Sequence, residues 1–196
     1  MNKDLDQLIH LTISLGASKA HIISSDRIVV EDQLAQKCIE PKCENYGLSY
    51  SCPPYVEGPE SFRELIKTHP RALVIRLVIP SSMLLSWERL DLGRVLHELV
   101  ATVELEARKI GYARSSGFAG GSCKELYCQD HLSCQRIEEK GPCRHPDLAR
   151  PSMSGYGIDV FQLVKSCDWE TNPNQEEELP DEDQLSWVAG LIMIGE

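Results

Sequence analysis

The chain has 196 residues, 42% of them hydrophobic, and a formal net charge of −10. That apolar content is enough for one domain to bury a core without cysteine staples, and the acidic balance excludes non-specific nucleic-acid binding, which runs on lysine and arginine neutralising phosphates. The apolar runs at residues 72–80 and 187–194 fall short of the ~20 residues of a membrane span, and the polar, acidic start at residues 1–7 has no secretory signal pattern, so a soluble, cytoplasmic protein with no membrane contact is expected.

Leu5, Leu8, Ile9, Leu11 and Leu15 recur at helical spacing, and Gly16 stands where a helix would stop. Residues 20–23 and 27–30, separated by Ser24, Ser25 and Asp26, read as a β-hairpin. The stretch 38–52 is rich in turn formers (Pro41, Gly47, and Pro53 and Pro54 just after it) and is expected to loop. A short helix is predicted over 59–67 and a buried strand over 72–79. An amphipathic helix over 87–110 carries Leu92, Val95, Leu96, Leu99 and Val103 on its apolar side, with Gly111 as its cap. A strand over 112–118, a second loop over 123–143, a helix over 158–166 and a last strand over 187–194 complete the succession. Glu176, Glu177, Glu178, Asp181, Glu182 and Asp183 form an acidic run that reads as a solvated linker. The expected organisation is one cysteine-rich domain over 1–170, an acidic linker over 171–184, and a strand over 185–196 returning to the same domain. The fold class is α+β, or α/β, with a central mixed sheet flanked by helices and the chemistry on two cysteine-rich metal-binding loops.

Eight cysteines in a cytoplasmic chain are expected to be reduced, which leaves metal binding or thiol chemistry as their use. Seven of them fall in two groups, Cys38-x4-Cys43-x8-Cys52 and Cys123-x4-Cys128-x5-Cys134-x8-Cys143, and Cys167 stands alone. No C-x2-C pair occurs, so the knuckle of structural zinc sites and the thioredoxin-type redox pair are both missing. Iron-sulfur clusters accept looser spacing, and C-x4-C is found among ferredoxins. One or two [4Fe-4S] clusters are therefore expected, with zinc as the alternative. Either the second group completes one cluster and the first holds another with three thiolates, leaving an iron open to substrate, or the groups share a site, or Cys167 supplies a fourth ligand. The bland reading of Cys167 is a small buried hydrophobe.

Several stretches around these cysteines resemble one family, the predicted metal-binding proteins grouped as domain of unknown function 2284, found mainly in anaerobic archaea and bacteria. They are Cys38 to Cys43 with Asn45, Tyr46 and Gly47; Ser51, Cys52, Pro53, Pro54 and Tyr55; Gly120, Gly121, Ser122 and Cys123; Cys143, Arg144, His145 and Pro146; Ala149 to Met153; and Gly157 to Val160. The resemblance covers residues 20–170 and implies metal binding with no particular reaction. The family pattern has a tight C-x2-C-x2-C where this chain has intervals of four and five.

Arg144, His145 and Arg150 form a basic patch beside the second loop, suited to an anionic cofactor or substrate or to hydrogen bonds toward cluster sulfurs. Ion pairs with Asp147 and Asp159 are the competing reading. Tyr46 and Tyr55 either shield a cluster or pack the loop. His131 is expected to face solvent, and His10, His21, His69 and His97 are given no role. The glycines of 117–121 lack a full dinucleotide or P-loop pattern and are expected to let backbone fold around the site. Three functions follow: electron transfer to a redox partner protein, an enzyme or cofactor-maturation factor with an open iron, and a zinc-stabilised interaction module. A homo-oligomer is compatible with each.

Overall fold

The computed structural model describes residues 3–173 and 184–196, so most of the expected acidic linker, residues 174–183, lies outside the described residues. In chain order the elements are α1 (Lys3–Ser14), β1 (Lys19–Ser24), α2 (Asp32–Gln36), α3 (Gly58–Thr68), β2 (Arg71–Pro80), α4 (Ser81–Leu85), α5 (Glu88–Lys109), β3 (Ser116–Phe118), α6 (Cys123–Tyr127), α7 (Gln135–Glu138), α8 (Val160–Lys165) and β4 (Leu185–Ile194). The protein is α+β, with a four-stranded sheet in the order β1-β2-β4-β3.

The unbroken apolar run of β2 has a simple cause, because the sheet is covered on both faces. Leu73, Ile75, Leu77 and Ile79 enter a core with Leu8 of α1 and with Leu96, Val100 and Val103 of α5. Ala72 and Val74, on the opposite face, enter a second core with Phe62 of α3 and Leu163 of α8. β4 alternates in the same way, Ile192 and Ile194 to the first core and Leu191 and Met193 to the second. A fully buried side chain of this kind contributes roughly 1.5–3 kcal/mol, so β2 and β4 form the best-anchored pair and the shorter strands take their register from them.

Two expectations are corrected. The hairpin over 20–30 does not form: β1 pairs antiparallel with β2, from Lys19 opposite Arg76 to Ser24 opposite Arg71. The ten-residue β2 offers β1 a longer ladder than residues 27–30 could, and Ser25 turns the chain away by bonding Pro70 O through its amide at 3.1 Å and Ile66 O through its hydroxyl at 3.3 Å. The sheet is also antiparallel at every pairing rather than mixed. β2 and β3 do run the same way, as the helical connection through α5 suggests, but β4 inserts between them and runs against both. The strand expected over 112–118 shortens to β3, while the other helices and strands stand within a few residues of their expected bounds.

The segment leading into the first cysteine loop is fastened at Gly157. Its carbonyl accepts from the Glu31 amide at 2.8 Å, its φ is 71°, and a Cβ there would run into the Glu31 carbonyl oxygen. Gly157→Ala is expected to destabilise the protein by about 2–3 kcal/mol, combining the left-handed backbone cost with displacement of the segment before α2. A lower denaturant midpoint at unchanged slope would show it; an unmoved midpoint would mean that this fastening holds nothing.

Candidate metal centre

The first cysteine loop is built from consecutive turns. The Cys38 amide closes on Ala35 O, Cys43 on Cys38 O, Tyr46 on Cys43 O, and Cys52 on Ser49 O, at 3.0–3.2 Å. The Gly47 amide reaches Pro53 O at 2.9 Å, folding the two ends of the proline-bounded stretch together. As a result Cys38, Cys43 and Cys52 line one cavity of about 490 Å³, together with Asn45 and Tyr46. Tyr55 instead stacks on Tyr50, ring centroids 6.3 Å apart.

The second loop starts on a helix. Cys123 opens α6, which is held on α5 by Arg94 Nε donating to Leu126 O at 2.8 Å and by the Tyr127 hydroxyl donating to Arg94 O at 3.2 Å. Gly93 is needed under this contact, since a Cβ there would lie 2.7 Å from Leu126 Cδ2. Lys124 Nζ donates to Cys128 O at 2.8 Å, and Arg144 Nη1 donates to Ser133 O at 3.0 Å, drawing the chain after Cys143 back across the loop. Cys123, Cys128, Cys134 and Cys143 line a second, tight cavity of about 20 Å³, room for roughly one water.

Buried serines join the two sites. Ser49 Oγ lies 3.0 Å from Ser51 Oγ and 3.2 Å from Ser122 Oγ, and Ser51 Oγ donates to Cys123 Sγ at 3.1 Å. Ser51 thus sits next to Cys52 of one loop while touching a thiol of the other. Asn45 Nδ2 donates to Glu125 Oε2 at 3.1 Å, and the Arg136 guanidinium covers the Tyr50 ring at 4.0 Å, so the loops are packed against each other along their length.

All eight cysteines are free thiols. Burial pushes the Cys123 thiol up to about 11 against the opposing hydrogen bonds of Ser51 and Ser49. It raises Cys128, with Arg144 pulling the other way, and it raises Cys38, with added repulsion from Cys43 and Cys52. The donors are those of a thiolate metal site, but among the described residues no three Cys, His, Asp or Glu side chains are grouped as a ready site for one metal ion. The thiols surround shared spaces. Cys167 lines neither of these cavities; it is buried in the second core with its Sγ 3.6 Å from Leu163 O, and burial pushes its thiol up to about 11.

The basic patch divides. Arg150 is buried and ion-paired through Nε to Glu104 Oε2, while its Nη1 donates to Ala149 O and Pro146 O. Its partner is therefore Glu104, rather than Asp147 or Asp159; Asp159 Oδ1 caps α8 by accepting from the Gln162 amide at 2.9 Å. His145 lies against the Tyr127 ring with centroids 5.4 Å apart, and its backbone amide donates to Cys143 Sγ at 3.4 Å. Arg144 stands beside Cys128, and His131 is exposed.

His97 is the residue that sequence reasoning missed. Fully buried on α5, it accepts from the Arg150 amide at Nδ1 (3.1 Å), so its proton is on Nε2, which donates to Gly120 O at 3.0 Å. One imidazole therefore ties the backbone before Cys123 to the backbone after Cys143. The signal was available in principle: a histidine amid Leu92, Leu96, Leu99 and Val100 stands on a buried stripe, and buried polar groups are paired.

The profile of a family described as predicted metal-binding protein (DUF2284) matches residues 21–194. The thiol-lined cavities thus occur in a family described as predicted to bind metal. The chain belongs to that family, as its cysteine motifs suggested. No curated protein and no solved structure matches it.

Burial lowers the His97 pKa, with the Arg150 charge acting the same way and the Gly120 hydrogen bond opposing. Because the unfolded chain binds this proton more readily than the folded one, stability falls as pH drops below the unfolded value of ~6.5 and levels off below the folded value. The contribution is at most ~1.4 kcal/mol per pH unit. His97→Gln should lose that component of the slope between pH 7.5 and 5 in denaturant titrations; an identical slope would remove His97 as its source.

Proposed function

We propose that this is an iron-sulfur protein with a four-thiolate [4Fe-4S] cluster at Cys123, Cys128, Cys134 and Cys143 and a second cluster at Cys38, Cys43 and Cys52, serving electron transfer to a partner enzyme. The observation that carries this reading is the division of the seven thiols into a set of four and a set of three, each lining its own cavity, with a serine chain between them. A cubane presents four separate iron corners, which suits thiols spread around a space, and no histidine lines either cavity. The absence of any C-x2-C pair weighs against zinc. The four-thiol cavity is tight, so on this reading the cysteine loop widens to take up a cluster. The net charge of −10 favours a partner with a basic face, found by electrostatic steering.

A second reading is favoured by the roominess of the three-thiol cavity. With three protein thiolates, one iron is left for an outside ligand, and about 490 Å³ of space stands beside it. That arrangement belongs to an enzyme or a cofactor-maturation factor.

Protein purified without oxygen should carry about eight irons and eight sulfides per chain, the content of two cubanes. A Cys38/Cys43/Cys52 triple alanine variant should keep about half, and Cys167→Ala should keep all. Stoichiometric zinc without sulfide would sink the iron-sulfur reading.

The serine contact gives an independent check. Removing a hydrogen bond to a ligand sulfur makes the cluster harder to reduce. Ser51→Ala should make the potential of the four-thiolate cluster more negative by about a decade in the reduction equilibrium, ~59 mV for one electron, in an EPR-monitored redox titration. An unmoved potential of the four-thiolate cluster would show that Ser51 does not tune the Cys123 site.

A further inference from the structure

A larger cavity of about 710 Å³ lies between α5, α6 and β4, walled by Leu92, Leu96, Leu126, Trp187 and Val188. It shares Gly121, Ser122, Val160 and Phe161 with the three-thiol cavity, so the two spaces lie on either side of one thin wall. Phe161 is 62% exposed and meets the Trp187 ring edge-on at 5.3 Å, so part of the wall is side chain that can yield to a ligand. Protein interiors hold few voids larger than a water, whereas small-molecule sites measure roughly 300–1,000 Å³ and are mostly apolar with a few polar groups. Among the described residues of this lining the charged side chains are Arg89 and Glu125, which are paired with each other at 2.7 Å and present no net charge to an ionic ligand.

We propose that this cavity is the binding site of a neutral, mainly apolar small molecule, held with one end at the Phe161 wall, next to Cys38, Cys43 and Cys52. The volume and concavity suit a small molecule better than a folded partner. The shared wall gives the ligand its orientation, because Val160 and Phe161 line both spaces and the end that meets them stands beside the thiols. The site is defined by protein side chains alone and stands whichever metal the thiols hold.

The test uses the full chain, reduced and metal-free, with N-phenyl-1-naphthylamine as a neutral apolar probe. Saturable one-to-one binding is expected, with tryptophan-to-probe energy transfer that falls in Trp187→Phe, which leaves Trp87 and Trp169 as donors, while the probe stays bound. Val188→Phe, which adds bulk to the cavity wall, should weaken binding by about tenfold or more. In the unmutated protein, where no substitution can perturb folding, saturating probe should slow iodoacetamide labelling of Cys38 and Cys52 by about fivefold or more while leaving Cys128 and Cys134 unchanged, because thiol reactivity follows access as well as thiolate fraction. Absence of saturable binding by the full chain would overturn the proposal, as would equal protection of both cysteine groups or an affinity that a folded Val188→Phe variant leaves untouched. Metal analysis of the same protein is a separate experiment, so the iron-sulfur reading and this one fail independently.

Discussion

His97 and Glu104 are two turns apart on α5, where the other buried side chains are apolar, and both bond Arg150; Glu104 also pairs with Arg108 of the same helix at 2.5 Å. The arrangement is one constraint with two halves. His97 holds the Gly120 carbonyl and the Arg150 amide, and Glu104 holds the Arg150 guanidinium. The ends of the second cysteine loop are thereby brought to one point on a rigid helix before any metal is considered, and much of the entropy of closing the loop is already met by the fold. Glu104 is 3% exposed, and removing a partner from a buried charge costs ~3–5 kcal/mol. A basic residue that looked suited to an anionic ligand is thus part of the frame, buried against a carboxylate that Arg108 also pairs.

The same frame reaches the first loop through short polar steps. Gly120 leads to Ser122, Ser122 Oγ to Ser49, Ser49 to Ser51, and Ser51 to the Cys123 sulfur. The Ser152 amide donates to Ser51 O at 2.9 Å, so the segment after Arg150 also grips the first loop. Hydroxyls buried this deeply are held by partners, and the serine chain gives the two cysteine groups a fixed mutual position that spacing alone could not supply. Thiols that burial keeps protonated, Cys123 above all, must shed protons to serve as ligands. The serine donors oppose that penalty at the Cys123 sulfur.

Much of this was legible in the residues. The period of α5 and the continuous run of β2 are strong local signals, and both reappear with little change; the two cysteine groups each line one cavity, but the second carries α6 and α7 where a loop was expected. The sheet order was not legible, because β4 inserts between β2 and β3 through a long-range pairing with no local signature. The hairpin failed for a related reason: residues 20–23 had a better partner fifty residues away than the one next door. Arg150 looked like part of a basic surface because Arg144, His145 and Arg150 are close in sequence, yet it turns inward to Glu104 while Arg144 faces the cysteines. Charge sharing of that kind depends on which helix face lies opposite, and no spacing reports it.

The two thiol groups differ in a way that their shared residue type conceals. Four thiols line a space of about 20 Å³ pressed against α6 and α7, while three line a space of about 490 Å³ that borders another of about 710 Å³. A site with four protein donors and no spare room is coordinatively complete and suits passing electrons without exchange of ligands. Three donors beside open volume suit a centre that takes a ligand from outside. In the proposed reading, the serine chain links a closed centre to an open one, and the apolar walls beyond Phe161 decide what reaches the open one. On that reading the acidic chain and the apolar cavity serve different partners: charge selects a protein, and cavity shape selects a small molecule.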